Sequence, residues 1–462
     1  MKTPANIFHG RRAGAWPVFL LAAIGCALYA GTLTAGFIYD DAAAIVDNAS
    51  IRTPGDLAGV LGPPRNTPMA GRPVVNLTLA VNHAAGGLDA RGYHAFNIAV
   101  HLCCSLLLYG IVRRTLRGRE GRAMAFAAAL LWMVHPLQSE CVAYVTQRTG
   151  SVMALFFLLT LYCAIRGWSA AAIVACALGM ASKESMVTAP LMVVLYDWAY
   201  RDEPWRDVLR RRRGLYAGLG ATWLVLLALM AGGPRSATVG FGLGVSAWQY
   251  GLNQCVAVVG YLRRAVWPGP VILDYGFPRP LTVLDAAPSA VILLALLAGT
   301  AWLLLRRPRL GYPAAWFFAI LGPTSSIVPI ATEVAADRRV YLALAGPVVL
   351  AVVAGFAMTR LPGRARTRAR FAMVTAAALA LGVATWHRAE SYRDPVELWE
   401  RSVRAVPGNH RALTNLATAL AARGDVEQAA VRLRQALEIE PASSVAAANL
   451  EALLATGAAG GR

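Results

Sequence analysis

Apolar runs of nearly 20 residues recur along this chain, from about residue 13 to about residue 385, separated by short loops. About 20 apolar helical residues are needed to cross the hydrocarbon core of a bilayer. A backbone in lipid must satisfy its own hydrogen bonds, which leaves helices as the spanning form for runs of this length. The composition agrees, with 57% hydrophobic and 15% charged residues, where a soluble domain carries about 25% charged. The net charge of +19 invites a nucleic-acid partner. That reading is rejected, because the basic residues gather in the short loops, where cytoplasmic charge belongs and where membrane lipid is the anionic partner.

The expected fold class is all-α, a polytopic membrane protein of about 11 transmembrane helices. Four basic clusters, at 113–122, 201–213, 306–309 and 360–370, set the topology when placed in the cytoplasm with the N-terminus. Lys2, Arg11 and Arg12 precede a first run with no clean small-residue cleavage site after it, so this run is read as a retained span rather than a signal peptide. Segment 38–91 then lies outside. The apolar stretch 245–266 contains Gln249, Asn253, Gln254, Arg263 and Arg264. Letting it span would put the 306–309 cluster outside, so it is read as an interfacial or re-entrant helix. An odd span count places the C-terminus outside, at what is expected to be a bacterial inner membrane. The seven cysteines form no CxxC pair and lie mostly inside apolar runs, as small packing residues rather than a disulfide framework.

The composition changes at about residue 388. Residues 1–387 form the membrane domain and 388–462 a helical tail. Pro407, Asn415 and Leu416 recur as Pro441, Asn449 and Leu450, each 34 residues later, which is the tetratricopeptide period. Only about one and a half repeats are present, and at least three are normally needed for stability alone. The tail must therefore pack on the membrane domain, on a second copy or on a partner.

Ionisable groups near spans cost about 2.5–3.5 kcal/mol at the bilayer centre and need a reason to be there. In this topology they collect on the outer face. They are Asp40 and Asp41 after the first span, Arg72 in the outer loop, His135 and Glu140, Lys183 and Glu184, Asp274 and Tyr275, and Asp337, Arg338, Arg339 and Tyr341. Adjacent carboxylates can activate a hydroxyl or hold a metal, and arginines grip phosphate through paired hydrogen bonds. Simpler roles exist for each: solvated helix ends, headgroup anchors, ion pairs tying span ends, and a helix cap at His135. His94 and His101 fall at helical spacing within a span and read as core hydrogen-bonding residues. No metal site is assigned and no cofactor is required. A divalent metal is compatible with the carboxylates.

Several motifs, in order, resemble the transmembrane protein O-mannosyltransferases that carry tetratricopeptide repeats, within the glycosyltransferase C superfamily. They are Phe37-Ile-Tyr-Asp-Asp41, Gly71-Arg-Pro-Val-Val-Asn-Leu-Thr78, Gly92-Tyr-His-Ala-Phe-Asn97, His135-Pro to Glu140, Ala181-Ser-Lys-Glu184, Leu273-Asp-Tyr275 and Asp337-Arg-Arg-Val-Tyr341. The resemblance implies a membrane glycosyltransferase that moves a sugar, expected to be mannose, from a polyprenyl-phosphate donor to a hydroxyl on a protein or peptide acceptor. It implies a carboxylate base at the end of the first span. Of the Asp40/Asp41 pair, Asp41 is favoured as the member farther from the hydrocarbon. Arg338 or Arg339, with Lys183, would hold the donor phosphate. His135, Glu140, Glu184, Arg72, Asp274, Tyr275, Asp337 and Tyr341 would support them. The short repeat array departs from the animal members, and Asp337-Arg338 stands where Glu-Arg is expected. The alternative function is a lipid or lipid-sugar transporter. It would place its site near the bilayer midplane, whereas these charges crowd one surface.

Overall fold

The computed structural model describes residues 15–65, 67–231, 233, 238–241, 244–269, 272–326 and 328–460. The basic N-terminal residues Lys2, Arg11 and Arg12 lie outside the described residues. The membrane part begins with α1 (Trp16–Tyr29), which leads to two short outer helices, α2 (Leu57–Leu61) and α3 (Pro73–Gly86). Next come α4 (Ala90–Thr115), α5 (Gly118–Met133), the single-turn α6 (Ser139–Ala143), α7 (Arg148–Arg166), α8 (Ser169–Met180), α9 (Ala189–Tyr200), and the abutting α10 (Trp205–Ala221) and α11 (Trp223–Met230). They are followed by α12 (Ala247–Val266), α13 (Val283–Arg306), α14 (Pro308–Leu321), α15 (Ala345–Met358) and α16 (Gly363–Glu390). The tail is α17 (Pro395–Ala405), α18 (His410–Ala422), α19 (Val426–Ile439) and α20 (Ser444–Gly460).

A helix stands at each of the eleven expected span positions. Six of these segments are long and apolar enough to cross a bilayer: Trp16–Thr34, Ala90–Thr115, Val145–Arg166, Trp205–Met230, Val283–Arg306 and Gly363–Arg393. The remaining five helices, α5, α8, α9, α14 and α15, have 12 to 16 residues and end in turns that carry polar residues. Burial separates centre from rim. The α7 segment is 72% buried and α4 61%, while α13 and α16 are 6% buried. An apolar helix with so little protein around it has lipid as its surroundings, which makes the chain an integral membrane protein. Close crossings use small residues, as is common in membrane bundles. A Cβ on Gly346 of α15 would fall 2.1 Å from the Pro313 carbonyl oxygen of α14, so no larger residue fits that crossing.

The polar residues of α12 face segments that lie outside the bundle. Gln249 Nε2 donates to the carbonyls of Arg279 (2.8 Å) and Leu281 (3.1 Å), and Asn253 Nδ2 donates to Arg279 (2.8 Å). Gln254 Nε2 donates to the Val334 carbonyl (2.8 Å), and the Tyr261 hydroxyl accepts from Ala336 N–H (2.9 Å). Both ends of α12 therefore meet the segments around 279–281 and 334–337.

The tail helices pack consecutively, and their core is continuous with the membrane part. Leu398, Trp399, Leu413, Leu416 and Leu433 share one cluster with Ile38, Ala143, Tyr144 and Leu273. The membrane domain, one of the three packing partners expected for the short repeat array, is seated against it. The two outer Asn-x-Ser/Thr sequences are closed off: Asn48 and Asn76 are buried and hydrogen-bond to each other at 3.0 Å.

Candidate active site

The chain leaves α1 through a 3-10 turn and reaches Tyr39 in the left-handed region, with φ +46°, a conformation that side-chain-bearing residues rarely adopt. Strain of this kind is found where surrounding structure fixes a functional residue. Here Tyr39 packs edge-on against Trp399 of the tail at 5.3 Å. The two carboxylates that follow diverge. Asp41 is fully buried. Its Oδ1 accepts from Thr146 N–H (2.7 Å) and the Thr146 hydroxyl (2.5 Å), and its Oδ2 from Ile38 N–H (3.0 Å). Burial, with repulsion from Asp40 added, pushes the Asp41 carboxyl up to about 6, against the opposing effect of those hydrogen bonds. Asp40 is half-buried, and its N–H donates to the Tyr144 hydroxyl at 3.0 Å. Its carboxyl is raised by burial, with Tyr144, Arg338 and Arg411 opposing and Glu333 adding to the rise. Asp41 is thus a latch between the end of the first span and Thr146, and Asp40 is the member with room to react.

Arg338 lies on a 3-10 turn, Asp337–Val340, just ahead of α15. Glu140, in the first turn of α6, grips it twice: Oε2 accepts from Arg338 N–H (2.8 Å) and Oε1 from the guanidinium (2.7 Å). The other side of the guanidinium pairs with Glu333. Burial alone would raise the Glu333 carboxyl, but Arg338 and Arg339 outweigh it and hold it below the usual range. Arg339 is used up differently. It donates to Glu333 Oε1 (2.8 Å), to the Glu333 carbonyl (3.1 Å), to the Thr324 carbonyl (3.1 Å) and to the Tyr250 hydroxyl (3.3 Å). With the Val334 carbonyl (3.5 Å) as a fifth acceptor, its five N–H groups have little left for a ligand. Arg338 keeps more free donors.

A small cavity opens beside these arginines, lined by Gly150, Lys183, Ser185, Thr324, Arg338, Arg339 and Tyr341, among others. Lys183 makes no side-chain hydrogen bond or ion pair to any described residue, and burial lowers its pKa. A Cβ on Gly150 would stand 3.9 Å from Lys183 Nζ, so the glycine leaves the ammonium space. Farther along the same helices is a second, apolar cavity of about 60 Å³, lined by Leu108, Thr115, Leu161, Tyr200, Tyr312 and Trp316, among others. Met153, Ile320 and Leu342 of the first cavity lie within a few residues of Leu158, Trp316 and Ala345 of the second.

The other expected residues take supporting positions. Arg72 pairs with Glu184 at 3.6 Å and ties the outer loop to the end of α8. His135 caps the following turn, Nδ1 accepting from Leu137 N–H (3.2 Å), while Nε2 meets the Ala265 carbonyl (2.9 Å) at the end of α12. Burial lowers its pKa to about 4, so it is neutral. Asp337 is buried and faces inward, accepting from Tyr275 (2.8 Å) and pairing with Arg264 (3.2 Å) and Arg388 (2.8 Å). Asp274 pairs with Arg411 of the tail at 2.5 Å. The Tyr341 hydroxyl meets His101 Nδ1 at 2.8 Å. Among the described residues no group of three or more His, Cys, Asp or Glu side chains is arranged to share a metal. Four residues of this region stand outside the expected set: Glu333 as the bridge between two arginines, Tyr144 and Thr146 as partners of the carboxylates, and Arg411. Glu333 is legible as an outer charge; its bridging is not, and the other three carry no local signal.

Residues 67–231 match the family model described as dolichyl-phosphate-mannose-protein mannosyltransferase. Protein O-mannosyl-transferase TMTC2 of Mus musculus is 34% identical over 163 residues, 32% of this chain and 19% of that protein. Protein O-mannosyl-transferase Tmtc2 of Drosophila melanogaster is 29% identical over 308 residues, 60% of this chain and 32% of that protein. The matched region thus spans between a fifth and a third of the length of these two relatives. Among solved structures, ArnT from Cupriavidus metallidurans bound to undecaprenyl phosphate aligns over 92% of this chain and 76% of that one, with 18% identity and a TM-score of 0.43.

Proposed function

We propose, from the premise that the chain is an O-mannosyltransferase-like protein of the glycosyltransferase C family, that it transfers a sugar, mannose by family resemblance, from a polyprenyl-phosphate donor to a hydroxyl on a protein or peptide at the outer membrane face. One observation carries the reading. A half-buried carboxylate, Asp40, stands in the field of Arg338, Arg338 and Lys183 line one small cavity, and a second, apolar cavity borders the same helices α7 and α14. The cationic side chains suit a phosphate by charge, and the apolar lining suits an isoprenoid chain by polarity.

In this reading the reaction is a single inverting displacement. The acceptor oxygen attacks the anomeric carbon as Asp40 takes its proton. The bond from that carbon to the phosphate oxygen breaks, and the electron pair leaves with the lipid phosphate. Arg338 and Lys183 meet the negative charge that grows there, which is where preorganised donors contribute most. Asp41, fixed by Thr146, holds the backbone that presents Asp40, and Glu140 and Glu333 hold Arg338. The geometry thus favours Asp40 over Asp41 as base and Arg338 over Arg339 as phosphate ligand. The transporter alternative needs a site near the midplane, and the ionisable groups assembled here lie at span ends. The test is incubation of the purified protein with polyprenyl-phosphate mannose and acceptor peptides. Sugar on peptide hydroxyls supports the reading, and movement of intact lipid across the bilayer without transfer supports the alternative.

A further inference from the structure

The tail is more than an appendage beside the site. Its polar contacts converge on one short loop, 273–277, and on the backbone next to Glu333. Arg411 Nε and one terminal nitrogen donate to the two oxygens of Asp274 at 2.5 and 2.7 Å, and the same terminal nitrogen reaches the Thr332 carbonyl at 2.7 Å. Asn409 Nδ2 donates to the Asp274 carbonyl (3.2 Å), and the Ser402 hydroxyl accepts from Leu273 N–H (3.1 Å). The His410 ring stacks on Phe277 with centroids 5.0 Å apart and planes at 11°. The loop and the Glu333 segment are themselves joined, since Val334 N–H donates to the Gly276 carbonyl at 3.0 Å. Arg411 therefore pins both partners of that junction, one residue away from the carboxylate that bridges Arg338 and Arg339.

We infer that the helical tail braces the donor pocket from behind its lining and that Arg411 is its positioning residue, holding Glu333 and through it Arg338 in place. This inference rests on the reading of that pocket as a polyprenyl-phosphate site. The geometry is of the kind that makes a buried ion pair worthwhile: a bidentate fork on a carboxylate that is 4% exposed, with a carbonyl taking a further donor. It also gives a physical use to a repeat array too short to stand alone. The tail's core is completed by Ile38, Tyr144 and Leu273, residues that flank Asp40 and Asp274. Arg411 also faces Asp40, together with Tyr39, Asp41, Tyr144, Glu333 and Arg338.

The experiment uses the full chain in lipid nanodiscs, with undecaprenyl phosphate as the binding probe and sugar transfer followed against pH. Arg411→Ala should weaken probe binding by about tenfold or more, since small displacements of a binding constellation have effects of that order. It should also move the acid limb of transfer to higher pH, because one cation that favours ionised Asp40 is gone. Arg411→Lys keeps the charge and loses the fork. It should leave the acid limb in place and still weaken the probe. A loss of packing alone would not separate these two readouts. Wild-type affinity and an unshifted limb in Arg411→Ala overturn the inference while the donor-site reading stands. If Arg411→Ala fails to insert, wild-type affinity in Arg411→Lys overturns it. No probe binding by the wild-type protein removes both the reading and the inference.

Discussion

The bundle carries a charged cluster at each end, and the two are built on opposite plans. At one end Asp197 accepts from Arg201 (2.7 Å), Arg212 (2.6 Å) and Tyr216 (2.7 Å), and Arg212 also donates to the Ala164 carbonyl (2.6 Å). Three of these groups lie on adjacent helices, and Asp197 is closed around by donors. At the other end Asp40, Glu140, Lys183, Glu333, Arg338 and Arg411 come from five separate segments. There one ammonium makes no hydrogen bond to the described residues, and a cavity adjoins it. Buried charge has to be compensated in both places. The Asp197 cluster does this internally, whereas the Arg338 cluster keeps spare donors and the half-buried carboxylate that we propose as the base. That difference separates a structural knot from a site.

The largest expected effect breaks the comparison in function. Asp40→Asn should insert and fold normally yet lose transfer by about 10²–10⁴-fold, the usual cost of removing a general base. Transfer assays with donor binding measured in parallel check this. Asp197→Asn should do the reverse. Removing one partner of a buried ion pair costs about 3–5 kcal/mol, so thermal unfolding should shift strongly while the folded fraction retains transfer. Comparable activity losses in both variants would erase the distinction.

Within the Arg338 cluster, Arg338→Lys should weaken donor binding by about 10- to 100-fold, as expected for loss of one or two charge-assisted bonds, with little change in stability. Arg339→Lys, which breaks up a guanidinium with five protein hydrogen bonds, should lower stability more than donor affinity. The reverse ranking would move the phosphate to Arg339. A smaller effect concerns Asp41. Its folded-state pKa of about 6 lies above its ordinary value of 3.8, so the folded state favours the protonated form. Its contribution to stability is therefore greatest below pH 3.8 and is lost as pH rises through about 6. Between pH 5 and 7 the wild-type protein should lose roughly 1 kcal/mol by this route, and Asp41→Asn should not. Unfolding midpoints at the two pH values check it. Finally, cysteine probes at Gly240 and Pro280, on either side of α12, should both be labelled from outside. Labelling from opposite faces would mean that α12 crosses the bilayer.

Much of this was legible in the chain because it is local. Period and length mark a helix at every expected span, and the Gln and Asn residues of 245–266 mark a helix that bonds to the connecting segments beside it. The Asp40-Asp41 pair was visible from its position at a span end. That the two carboxylates differ in surroundings was not, because distance from the hydrocarbon says nothing of what each carboxylate touches. Thr146, which latches Asp41, is 105 residues away in sequence, and Arg411 is 137 from Asp274. Neither residue type nor spacing records such pairings. The same holds for Arg338 and Arg339, adjacent in sequence with similar side chains, whose roles separate only through the carbonyls of Thr324 and Glu333 that absorb one of them.

The measurement closest to the central claim is transfer from a radiolabelled polyprenyl-phosphate mannose to a hydroxyl-bearing peptide by the purified protein, with released lipid phosphate counted against sugar transferred. The account predicts one lipid phosphate released per sugar moved, inversion at the anomeric carbon, and loss of both products in Asp40→Asn with donor binding intact. Near-normal transfer by Asp40→Asn, Asp41→Asn and the double variant would contradict it, and Glu140 would become the next candidate base.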